Sequence, residues 1–185
     1  MRLLNIILII FISLTNEIKA DKKNLILENL KKGGNIIFIR HAYAPGNGDP
    51  ENFDIFDCNT QRNLNNEGRV QSKKIGNFFK DNEIQIDKVI SSEWCRCTET
   101  ALIAFDNFET QNFLNSFYSL KFAKNKSTQM KNLKRYIDKW NSDKNLVLVT
   151  HYVVIAEALN YRPSSGEIVI SDKNFVKIGN IEINF

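Results

Sequence analysis

Apolar positions along this chain follow a helical rhythm in some stretches and a continuous run in others, and the two alternate. Residues 24–30, Asn-Leu-Ile-Leu-Glu-Asn-Leu, put their apolar side chains on one face and are stopped by Gly33-Gly34, which predicts a short helix over 22–32. Asn35-Ile-Ile-Phe-Ile-Arg40 is an unbroken apolar run between polar ends, the pattern of a strand buried on both faces. From Ala42 to Asn63 there is neither rhythm, and the stretch holds Pro45, Gly46, Gly48 and Pro50. A loop of that length inside a compact domain is usually functional. Leu64-Asn-Asn-Glu-Gly-Arg-Val70 then opens an Asn-capped helix to about Asp81, with Val70, Ile75, Phe78 and Phe79 expected inward.

The second half repeats the alternation. Residues 84–91, ending Lys88-Val-Ile-Ser91, predict a strand, and Ser92 is expected to cap the helix that follows. A short strand is expected near Asn112-Phe-Leu114, and a charged helix over 126–141 with Met130, Leu133, Ile137 and Trp140 on its buried side. Leu146–Thr150 is a strand, Val153–Leu159 a helix, and 166–170 with 175–183 a closing hairpin. Strands alternating with helices in this order predict an α/β fold: a three-layer α/β/α sandwich with a mostly parallel sheet and an antiparallel edge.

The N-terminus stands apart. Met1-Arg2 is basic, Leu3 to Leu14 is mostly apolar and interrupted by Asn5, and Thr15-Asn-Glu-Ile-Lys-Ala20 is a polar stretch ending in a small residue. That is the order of a secretory signal peptide, so 1–20 is expected to be removed and 21–185 to form one domain, secreted or periplasmic. The apolar stretch is shorter than the roughly 20 residues that span a bilayer, and no stable membrane insertion is expected after cleavage. Without Arg2, Lys19 and Glu17 the chain keeps 23 basic and 20 acidic residues, a net charge of +3 too small and scattered for a nucleic-acid partner. Three cysteines, Cys58, Cys95 and Cys97, leave one unpaired in an oxidising compartment. A Cys95–Cys97 ring would be very tight, so Cys58 is expected to pair with one of them.

Only two histidines occur, His41 and His151, and each directly follows a predicted strand. Carboxyl ends of strands are where ligands gather in open α/β sheets. Arg40 precedes His41, and Arg96 falls in the first turn of its helix, where free N–H groups already favour anions. Two guanidiniums can fork around a tetrahedral oxyanion. A neutral imidazole beside them can attack phosphorus, and a second can stabilise the charge that develops. Such a pocket calls for no metal and no cofactor, and its partner would be a small phosphorylated substrate. His41 is expected to face solvent from its strand end.

These residues resemble the histidine phosphatase (phosphoglycerate mutase-like) superfamily. Its Arg-His-Gly/Ala signature is matched by Arg40-His41-Ala42. Its Ser-Ser-x-x-x-Arg-x-x-x-Thr-Ala run is matched by Ser91-Ser92-Glu-Trp-Cys-Arg96-Cys-Thr-Glu-Thr100-Ala101. Its histidine after a Val-x-Val-Thr strand is matched by Val147-Leu-Val-Thr-His151, and its Leu-x-x-x-Gly turn by Leu64-Asn-Asn-Glu-Gly68. The resemblance covers about residues 35–160. It implies that His41 is a phosphohistidine nucleophile and that Arg40, Arg96 and His151 form the phosphate pocket. Asn59 and Thr60, and less strongly Gln61 and Arg62, become candidate substrate contacts. Exported members include phosphatases of envelope sugar phosphates and broad acid phosphatases.

The chain departs from the family at the proton donor. Where the mutases carry an acidic residue after Leu-Asn, this chain has Ser116 after Leu114-Asn115, and after the second histidine it has Tyr152. The candidate replacements are loop carboxylates: Asp49, Glu51, Asp54 and Asp57. The missing acid keeps a rival open, a non-catalytic phosphate-ligand-binding module. A mixed zinc site from His41, His151, Cys95 and Cys97 is a weaker one.

Overall fold

The computed structural model describes residue 21 and residues 24–184; the expected signal peptide, 1–20, lies outside the described residues. A helix over residues 24–32 (α1) is followed by β1 (Ile36–Arg40), the long loop, and α2 (Asn66–Asp81). Next come β2 (Ile86–Ser91), α3 (Cys95–Phe105), the two-residue β3 (Glu109–Thr110) and the short α4 (Leu120–Ala123). The chain closes with α5 (Lys126–Lys139), β4 (Asn145–Thr150), α6 (Tyr152–Leu159), β5 (Ile168–Ser171) and β6 (Lys177–Ile181).

One six-stranded sheet has the order β3-β2-β4-β1-β5-β6. β1, β2, β3 and β4 run parallel, while β5 pairs antiparallel with β1 and with β6. The unbroken apolar runs are explained by the period of two. Ile37, Ile39, Val147 and Val149 face one core with Leu30 of α1, Ile75 and Phe79 of α2 and Ala101 of α3. Ile36, Phe38, Leu146 and Leu148 face the other, with Leu133 and Ile137 of α5 and Val154 and Ile155 of α6. Two apolar faces therefore require apolar residues at every position, and helices on both sides complete the three layers. Among the described residues no helix is long and apolar enough to cross a membrane.

Two tight contacts need glycine. Gly33 ends α1 with φ +79°, and a Cβ there would meet the Asp143 carbonyl oxygen. Gly68 lets α2 press on the backbone just after β1, since a Cβ would come within 2.0 Å of the Tyr43 oxygen.

Three expectations change. Val70 is 48% exposed, because the buried stripe of α2 is Gln71, Ile75 and Phe79, one position further round the helix. Asn112–Leu114 is a turn of 3-10 helix, not a strand: Phe113 and Leu114 both enter the same core, which a strand's alternation forbids. The helix expected to begin from a Ser92 cap begins at Cys95, with Trp94 at its N-cap and no side-chain cap. Ser92 is used elsewhere.

Candidate active site

β1 and β4 lie side by side with Arg40 opposite Thr150, so the residues after them emerge together. His41 N–H donates to the Thr150 carbonyl at 2.9 Å. The two imidazoles stand edge to face, 5.5 Å apart between centroids. Ser91 of β2 is level with Val149, which delivers the first turn of α3 to the same place. There Arg96, 3% exposed, reaches both rings: Nε–H donates to His41 Nε2 at 3.2 Å and Nη2–H to His151 Nδ1 at 3.4 Å.

These contacts assign the tautomers. A guanidinium only donates and a carbonyl only accepts. His41 Nδ1 lies 2.8 Å from the Ala42 oxygen, so Nδ1 carries the proton and Nε2 holds the lone pair that accepts from Arg96. His151 accepts at Nδ1, so its Nε2–H donates to Ser92 Oγ at 2.9 Å. Ser92 in turn donates to Asn115 Oδ1 at 3.0 Å. The Asn115 amide is held in that orientation by Glu93, whose N–H it accepts at 2.9 Å and whose carboxylate its Nδ2 reaches at 2.6 Å. Both histidines are neutral. Burial first, then the Arg96 charge, pushes each pKa well below 6.5.

Contrary to the expectation that it would face solvent, His41 is only 2% exposed. The loop after β1 roofs it, and the open space is a cavity of about 480 Å³ whose floor is Arg40, His41, Arg96 and His151. Arg62 and Asp49 come from that roof. Burial, then Arg96, lowers Arg62 to about 10, and burial also lowers Arg40. Three guanidiniums crowded out of water make a site short of negative charge. Arg40 donates through Nη1 to the Pro163 carbonyl at 3.0 Å, but its buried Nε has no partner. A buried N–H donor left over in this position fits an anionic ligand.

The family model of the histidine phosphatase superfamily (branch 1) matches residues 36–115, the segment that carries Arg40, His41 and Arg96. Over that segment the chain is similar to the histidine phosphatase superfamily. Solved structures share its fold. The protein histidine phosphatase SixA, complexed with tungstate, is 15% identical with a TM-score of 0.56, covering 80% of this chain and 96% of that one. A phosphoglycerate mutase from Thermus thermophilus is 14% identical, TM-score 0.56, covering 81% and 99%. A mycobacterial glucosyl-3-phosphoglycerate phosphatase in complex with VO3 is 13% identical, TM-score 0.53, covering 75% and 92%. No curated protein matches the chain in sequence.

The remaining candidates divide. Asn59 and Thr60 do not line the cavity. Asn59 donates to Asp57 Oδ1, and Thr60 Oγ1 bonds the backbone of Asp54 and Asp57, so both shape the loop. Gln61 holds the loop to α3 by accepting Cys95 N–H at 3.0 Å. Arg62 does line the cavity, anchored by donation to the Gly48 and Ala44 carbonyls. The open cysteine pairing resolves as Cys58–Cys95, with Cys97 free and buried, and the mixed zinc site thereby loses Cys95.

Ser92 and Asn115 were not foreseen as site residues, although both sit inside the family motifs. Thr100 is another such residue. Its Oγ1 accepts Ala42 N–H at 3.0 Å and donates to the Arg96 carbonyl at 2.7 Å, tying the strand end that carries His41 to α3.

Proposed function

We propose that this protein is a metal-independent phosphomonoester hydrolase that works through a phosphohistidine on His41. The observation that carries the reading is the His41 ring itself: Ala42 fixes its proton on Nδ1, and the unprotonated Nε2 accepts from Arg96 at the cavity floor. Arg40, Arg62 and Arg96 would draw in a phosphoryl dianion and hold its oxygens. His41 Nε2 then attacks phosphorus as the ester oxygen leaves, and water cleaves the P–N bond. His151, held by Ser92, presents its Nδ1 to the same space and can bind a protonated phosphoryl oxygen.

A sugar phosphate is the substrate class best supported. A second cavity, about 790 Å³, adjoins the first across Phe53, Trp94 and Phe122. Its wall is lined by Asn112, Asn115, Asn125, Gln129 and Asn132. Aromatic faces beside amides suit the carbon rings and hydroxyls of a saccharide. The neighbour named as a glucosyl-3-phosphoglycerate phosphatase has a substrate of that kind.

We also propose export, with 1–20 as a signal peptide and 21–185 as the exported domain. The Cys58–Cys95 bridge supports an oxidising compartment. A cell-recovered protein whose N-terminus is still Met1 would count against it.

The test of the activity is hydrolysis of p-nitrophenyl phosphate with EDTA present, beside His41→Ala. Turnover that survives EDTA and vanishes in the variant is expected. No turnover, with phosphate still raising the melting temperature, would favour the binding module instead.

A further inference from the structure

The guanidinium at the centre of the cavity is gripped on both edges. One edge, Nε and Nη2, faces the two histidines. The other is taken by Asp49 from the loop, with Oδ1 2.7 Å from Nη1 and Oδ2 3.2 Å from Nη2. The same carboxylate accepts Arg62 N–H at 3.1 Å and Trp94 Nε1–H at 3.2 Å. Four N–H groups thus converge on a side chain that is 15% exposed and lines the cavity. We propose that Asp49 is the proton donor to the leaving group, and that substrate binding is what arms it. The assignment rests on the phosphatase reading above.

Its rivals fall away by position. Asp57 caps the 3-10 turn at Cys58–Thr60, Asp54 accepts Phe56 N–H, and neither lines the cavity. Glu51 lines it but is exposed. Ser116, where the acid is missing, offers a hydroxyl that accepts Tyr118 N–H.

Arming follows from charge. Burial alone would raise the Asp49 carboxyl, but Arg96, with help from Arg62 N–H and Trp94, holds it below the ordinary carboxylate value, so the free protein has an anion there. A phosphoryl group within reach of His41 must engage Arg96 through Nη2, the corner that the two edges share. It then draws off the arginine's charge and sets negative oxygens beside Asp49, and both effects favour the protonated carboxyl. The other charged or titratable groups around the cavity are Arg40, Arg62, His41 and His151 on its floor and walls, with Lys121, Glu51, Tyr118 and Tyr152 further out. The proton taken from solvent goes to the ester oxygen as the P–O bond breaks and the P–N bond to His41 forms. In the second step a water oxygen bonds phosphorus, the P–N bond breaks, and the water's proton returns to Asp49. Alcohol and phosphate leave.

The experiment compares wild type with Asp49→Asn on p-nitrophenyl phosphate, whose phenolate departs without a proton, and on a hexose 6-phosphate, whose alkoxide needs one. The variant should lose about 1000-fold on the sugar phosphate but only about tenfold on the aryl ester. Equal losses on both would reduce Asp49 to a positioning residue for Arg96, and no loss on either would remove it from the reaction. Calorimetry of tungstate binding in two buffers of different ionisation enthalpy supplies a readout independent of turnover. Wild type should take up about one proton per tungstate near pH 7 and the variant none; no uptake by wild type overturns the arming step. A wild type inactive on both esters fails the phosphatase reading and the donor with it. An active wild type with an unaffected variant fails the donor alone.

Discussion

The cavity has two halves of different construction. The floor, Arg40, His41, Arg96 and His151, stands on the ends of paired parallel strands and on the first turn of the helix after β2. Its two histidines are fixed by backbone or by a neighbouring element, as Thr150, Ala42 and Ser92 show. The roof, the loop over 42–63, contains no strand and only one short 3-10 turn. It is held by side-chain attachments to α3 and its approach, among them Asp49 on Arg96 and Trp94, Gln61 on Cys95 N–H, and the Cys58–Cys95 bridge. The floor is positioned by the fold, whereas the roof is positioned by the floor. The first should tolerate little change in chemistry, the second little change in tethering.

The largest effect belongs to the floor. His41→Ala removes the proposed nucleophile and should cost at least about 1000-fold in turnover, while the protein still unfolds in one cooperative transition. The acid limb sharpens this. Because burial and Arg96 keep the His41 pKa well below 6.5, Nε2 stays unprotonated as the solution is acidified past that value. The acid limb of kcat/KM should therefore have its midpoint below 6.5. Stability has the same sign. Below pH 6.5 the unfolded chain gains protons at His41 and His151 that the native protein refuses, so their contribution is intact above 6.5 and declines as pH falls. A midpoint of 6.5 or higher would mean that His41 is not held neutral as its contacts require.

Breaking the tether tests the roof. Cys58 and Cys95 are 37 positions apart, and closing a loop of that length restricts the unfolded chain by about 4 kcal/mol. Cys58→Ser should lower stability in urea by an amount of that order and weaken phosphate binding. His41 and His151 should keep their contacts, since β1 and β4 pair without the loop. If the variant bound phosphate as tightly as wild type, Asp49 and Gln61 would suffice to hold the roof.

The same division explains what could be read from residue order. The floor was legible because strands buried on both faces show as unbroken apolar runs, as β1 and β4 do, and β2 ends in the buried Val89-Ile-Ser91. Once they are parallel neighbours, the residues after them must meet. The roof was not legible, because a loop without periodicity takes its shape from partners distant in sequence. Asp49, Glu51, Asp54 and Asp57 look alike in the chain, and contacts made in the fold, the one to Arg96 above all, separate the first from the rest. Asn59 and Thr60 were expected at substrate for their chemistry, but the nearest groups needing hydrogen bonds were those of their own turn. The error at Ser92 has a similar source. A serine ahead of a helix reads as a cap, yet here two unsatisfied partners, His151 and Asn115, lie closer to hand.

That serine gives the smallest and most discriminating test. If the histidines are held rigid because all their ring nitrogens are matched, Ser92→Ala leaves His151 Nε2–H without its acceptor and Asn115 Oδ1 without one donor. Cys97 Sγ, 3.5 Å from the same nitrogen, is a weak substitute. The ring can then tilt or adopt the other tautomer, turning an N–H toward Arg96 where a lone pair was wanted. A lost neutral hydrogen bond is worth about 1 kcal/mol, so kcat should fall about tenfold with the melting temperature little changed. Ser92→Thr keeps the hydroxyl and should restore most of the rate. Imidazole nitrogen shifts read by NMR should show His151 as the Nε2–H tautomer in wild type and as a mixture in Ser92→Ala. An unchanged tautomer together with an unchanged rate would show that Arg96 alone orients His151, and that the Glu93–Asn115–Ser92 chain serves only to pack the turn.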